Sequence, residues 1–135
     1  MEKTNICVKL KKYHILSTVE NIKKIVNRSS DIGISSSDVG LLTSTLTTLA
    51  SAFDSVEGDN KTEVELEMES AQARAAWHCC NMCLSNNLLR NEAHKANAME
   101  SMGFLASAID KFDHDKANKG QQLELQLTDP STLIV

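Results

Sequence analysis

Proline is almost missing from this chain. One of 135 residues is proline, against a usual share of about 5%. It stands at Pro130, so no residue before it has a locked φ or lacks a backbone donor. Aromatic residues make up only 4%, so the core has to be filled by Leu, Ile, Val, Ala, Met and Cys. No apolar run approaches the roughly 20 residues that span a bilayer, which argues against a membrane protein. The stretch from Met1 to Lys12 lacks the continuous apolar centre of a signal peptide, and this points to a reducing, cytoplasmic setting. Neither GxSxG nor a phosphate-cradling glycine loop occurs, and no cofactor motif is found. The chain is therefore expected not to be an enzyme.

What is present describes one small domain. The 135 residues carry 41% hydrophobic and 24% charged side chains, inside the globular range. We expect a single helical domain over 1–135, with its core in 13–118 and an extended tail at 121–135. The net charge is −4 and the pI about 5.5, so the basic face of a nucleic-acid binder is not expected. The total conceals a basic front: Lys3, Lys9, Lys11, Lys12, Lys23, Lys24 and Arg28. These read as the solvated face of a first helix. No internal repeat is evident in the residues.

Hydrophobic spacing sets the expected elements. Ile6, Val8 and Leu10 alternate, a short strand signal. Ile15, Val19, Ile22 and Val26 step by four and three, as one helix stripe does. A serine-rich loop follows, and Ser36 or Ser37 caps a second helix carrying Leu42, Leu46, Leu49, Phe53 and Val56. Thr62 and Glu65 fit a capping box, which places a third helix from there through Val64, Met68, Ala71, Ala75, His78, Met82, Ser85 and Leu89. Ala98, Met102, Leu105, Ile109 and Phe112 mark a fourth. Gly103 lies inside that fourth stripe, which suggests close backbone packing or weak helicity there. Leu123, Leu125 and Leu127 alternate again, a second strand signal. The expectation is an all-α, up-and-down antiparallel bundle of about four helices with short extended N- and C-terminal segments.

Three constellations carry chemical interest. Trp77-His78-Cys79-Cys80-Asn81-Met82-Cys83 puts Cys79 and Cys83 one helical turn apart, and His78, Cys79 and Cys83 are the candidate metal ligands. Zinc needs four donors, and no second paired motif supplies the rest, so free buried thiols are the expected state. Glu63, Glu65, Glu67 and Glu69, set against Asp110, Asp113 and Asp115, are loosely similar to the Mg²⁺ carboxylates of all-helical nucleotide pyrophosphohydrolases. His94, off the fourth stripe, resembles in its setting the exposed histidine of a histidine-phosphotransfer bundle, although Lys95-Ala96-Asn97 follows it where Leu-Lys-Gly is usual.

The leading expectation is a non-enzymatic interaction or assembly module. It acts on an unidentified protein partner or by self-association into a homo-oligomer. Its partner-binding candidates are Leu123, Leu125, Leu127, Leu133, Ile134 and Val135, an apolar end suited to a groove or to strand pairing. The alternatives are the phosphotransfer-like bundle, the carboxylate and Mg²⁺ hydrolase, and a Cys/His metal-binding bundle.

Overall fold

The computed structural model describes residues 5–28, 31 and 33–127, with side chains as far as Asp115. The order is β1 (Asn5–Lys11), α1 (Lys12–Asn27), α2 (Ser36–Ser55), β2 (Glu63–Glu69), α3 (Ser70–Ser85) and α4 (Glu92–Leu127). The chain is mostly helical, yet it is not all-α, because β1 and β2 pair antiparallel as a two-stranded ribbon. The amino-terminal strand lies where the alternation of Ile6, Val8 and Leu10 put it. The second strand does not lie at the carboxyl end.

Residues 63–69 were expected to open a helix, and they form β2 instead. Glu, Leu and Met favour helices, but the same residues also alternate strictly. As a strand, Val64, Leu66 and Met68 all turn inward and meet Ile6, Val8 and Leu10 across the register. All six are at most 5% exposed, and each such burial is worth roughly 1.5–3 kcal/mol. Tertiary burial overrides the local preference. The opposite correction applies to the extended tail: residues 121–127 continue α4. Leucine, glutamine and glutamate there are helix formers without a β-branched or aromatic residue among them. Residues 128–135 lie outside the described residues.

A repeat does exist, in geometry. Adding 58 to the numbers of β1 and α1 gives β2 and α3, with equal lengths. Val8 pairs with Leu66, its own counterpart, so an approximate two-fold axis passes through that pair. Six of the seven buried positions of α1 (His14, Ile15, Thr18, Asn21, Ile22 and Ile25, but not Lys12) recur in α3 as Gln72, Ala73, Ala76, Cys79, Cys80 and Cys83. With an offset of 56, the buried Leu42, Thr45 and Leu49 of α2 recur as Ala98, Ser101 and Leu105 of α4. The chain is thus two βαα halves. They interlock, because α2 packs on β2 of the other half and α4 packs on β1.

None of the counterpart pairs in the ribbon or in α1 and α3 is identical. α1 and α3 meet across the axis. Bulky Ile15, Ile22 and Ile25 on α1 have Ala73, Cys80 and Cys83 as counterparts on α3. Large against small fills the seam at native density, whereas isoleucine against isoleucine would crowd it.

The two strand-to-helix junctions show the same device with different side chains. His14 Nδ1 accepts the backbone N–H of Lys11, and Nε2 lies 2.7 Å from Glu100 on α4. Gln72 Oε1 accepts the N–H of Glu69, and its Nε2 donates to Ser44 and Thr48 on α2. Ser44 and Glu100 are themselves counterparts at offset 56. Each side chain therefore caps its own helix and ties it to the long helix of the other repeat. The α2–β2 connection is fixed by Gly58 at φ +143°, where an added Cβ would fall 2.2 Å from Thr62 Oγ1. Thr62 C=O then accepts the N–H of Lys12.

Candidate functional site

The thiols of Cys80 and Cys83 point into the seam between α1 and α3, and Cys79 is buried next to them. Asn21 Nδ2 donates to Cys80 Sγ, and the Cys83 thiol donates to the Asn21 carbonyl, both at 3.5 Å. Burial pushes the Cys79 thiol up to about 12, helped by its neighbours Cys80 and Cys83. Burial and Cys80 raise Cys83 to about 11 against the pull of Lys24 and Arg28. Burial likewise raises Cys80. Metal binding and nucleophilic attack both need thiolate, which this setting disfavours. His78 is exposed, with its ring edge-on to Trp77, whereas the neighbouring Cys79 is buried. The structure does not bring the proposed ligands His78, Cys79 and Cys83 together. Among the described residues no group of three His, Cys, Asp or Glu side chains is placed to hold a metal ion.

The carboxylates are likewise rearranged. Asp113 of α4 is ion-paired with Arg74 of α3, which also bonds Ser70. Glu63, Glu65, Glu67 and Glu69 stand on a strand and share one face, where a helix would divide them. His94 is exposed in the first turn of α4, where Asn91 Oδ1 accepts the N–H groups of Ala93 and His94. Of the expected partner residues, Leu123, Leu125 and Leu127 fall in the helical backbone of α4, beyond the described side chains. Leu133, Ile134 and Val135 lie outside the described residues.

Two hollows flank α3 and share Arg74 and His78. One, about 310 Å³, is floored by Ile25, Leu42, Ala71, Ala75 and Met82. The other, about 270 Å³, lies toward α4 between Trp77 and Ile109. Both are shallow and mainly apolar, and neither gathers the convergent polar groups of a catalytic pocket.

The feature the sequence reading missed is the outer face of the ribbon. Asn5, Cys7, Lys9 and Lys11 of β1, with Glu63, Glu65, Glu67 and Glu69 of β2, are all exposed. The register sets Lys9 opposite Glu65 and Lys11 opposite Glu63. Among the described residues none of these eight side chains makes an ion pair within 4.0 Å. Glu65 instead accepts from the Cys7 thiol at 3.1 Å, which raises that thiol too. The signal was available as the strict Glu-x-Glu-x-Glu-x-Glu alternation. A two-stranded ribbon has the width of a DNA major groove, but four carboxylates against two ammonium groups oppose approach to phosphate. Among the described residues no helix is long and apolar enough to cross a membrane. No protein-family model, no curated protein and no solved structure matches the chain.

Proposed function

We propose that this chain is a non-enzymatic protein-interaction module whose working surface is the outer face of the β1–β2 ribbon. The observation that carries the reading is that face itself: eight exposed side chains, charged or polar apart from Cys7, held in fixed register on an interlocked helical support. A backbone held in one register spares a partner the cost of ordering it on binding. The buried thiols and shallow hollows favour this reading over an enzyme or a metal carrier. The apolar carboxyl end is a second contact in the same reading, with a homo-oligomer as the assembled form.

The test is affinity capture from the native host with three baits: wild type, the double reversal Glu65→Lys/Glu67→Lys, and a chain ending at Gly120. A partner that binds wild type, survives reconstitution from pure components and is lost on the double reversal supports the ribbon. Loss only on removal of residues 121–135 moves the function to the tail. Turnover of a nucleotide or stoichiometric metal in the untagged protein overturns the module reading.

A further inference from the structure

Resting on the interaction-module reading, we propose that the free edge of β2 receives an extended segment of a protein partner with lysine or arginine at alternate positions. The sheet has two strands, so each strand keeps one edge unpaired. Among the described residues no backbone bond beyond the ribbon engages residues 63–68. An unpaired edge is a template for an added strand, which contributes main-chain hydrogen bonds along its length.

Charge selects the occupant. The outward positions of β2 are all glutamate, spaced about 7 Å apart over about 20 Å. Like charges on one face oppose each other. An added strand has the same spacing, so its alternate side chains stand opposite Glu63, Glu65 and Glu67. Cations there form opposite-charge cross-strand pairs and relieve that repulsion. β1 already shows the pattern that suits β2: Lys9 and Lys11 outward, Val8 and Leu10 inward.

A second copy fits less well. Pairing β2 with β2 sets glutamate against glutamate. Stacking two ribbon faces sets the glutamates of one copy against those of the other over a face only two short strands wide, whereas a stable interface buries roughly 800 Å² per partner. Pairing β1 with β2 of another copy is a head-to-tail contact, which builds rings or filaments rather than a two-fold dimer.

The test uses the full chain and a fluorescein-labelled ten-residue peptide of alternating lysine and valine or threonine. Its controls carry glutamate for lysine, or N-methyl groups on alternate amides. Fluorescence anisotropy at about 50 mM salt is expected to show saturable binding of the lysine peptide. It should be at least tenfold tighter than binding of the glutamate peptide, and weakened at least tenfold by N-methylation and by Glu65→Lys/Glu67→Lys. The neutral pair Glu65→Gln/Glu67→Gln should lie between, and unchanged urea midpoints show that the variants fold. Equal binding of the N-methylated peptide means mere electrostatic adhesion and overturns the proposal, as does binding indifferent to the glutamates. Self-association in sedimentation that the double reversal abolishes assigns the edge to a second copy and overturns it too. If the peptide fails but captured partners still depend on the ribbon, this occupant is wrong and the module reading stands.

Discussion

His14 and Gln72 show at the scale of single residues how two chemistries fill one role. Each accepts the N–H of the residue three before it and donates to the long helix of the other repeat. His14→Gln should therefore cost less than about 1 kcal/mol in urea unfolding. His14→Leu leaves the Lys11 N–H without its acceptor and should cost roughly 1–3 kcal/mol; equal costs would refute the shared role. Gly103 tells the reverse story. Of the two expectations there, close packing or weak helicity, close packing fails: the position is exposed and a Cβ would meet nothing within 4 Å. Gly103→Ala should stabilise the protein by about 1 kcal/mol, raising the urea midpoint. The thiols give a pH dependence of definite sign. Cys79 and Cys83 are raised from 9.0 to about 12 and about 11, so the fold favours their neutral forms. Their contribution is complete below about pH 9 and is lost as pH rises toward 11–12. Unfolding midpoints should fall through that window, and less so in Cys79→Ala/Cys83→Ala.

Among the elements, β2 is decided by its partner. Its sequence satisfies a helix by propensity and a strand by alternation, and only β1 separates the two. Leu66, on the axis and 5% exposed, is the sensitive point: Leu66→Ala should cost about 2–5 kcal/mol. Glu67→Gln, on the outer face of the same strand, should leave stability within about 0.5 kcal/mol. A chemical-denaturation series on both variants checks the facing. Comparable losses at the two positions would mean that β2 is not held in this register.

Across the whole molecule, interlocking makes the halves interdependent. With α2 on β2 and α4 on β1, neither half covers its own strand. Unfolding should be a single cooperative transition. If the chain is cut in the α2–β2 connection, the two fragments should co-purify at one to one when expressed together. Either alone should lack a cooperative transition and slow amide exchange. A half that folds alone would remove the shared core from the account.

The sequence by itself determined a mostly helical chain with a scarcely aromatic core, three of its helical stripes, the strand at Asn5–Lys11 and the burial of Cys79, Cys80 and Cys83. Hydrophobic spacing is local and survives in the residues. Only the tertiary structure decided that residues 63–69 are a strand, that the chain is two βαα halves about an axis, and that the glutamates share one outward face. The strand pairing and the α1–α3 seam join residues far apart in the chain, and which of them meet is not written in local spacing.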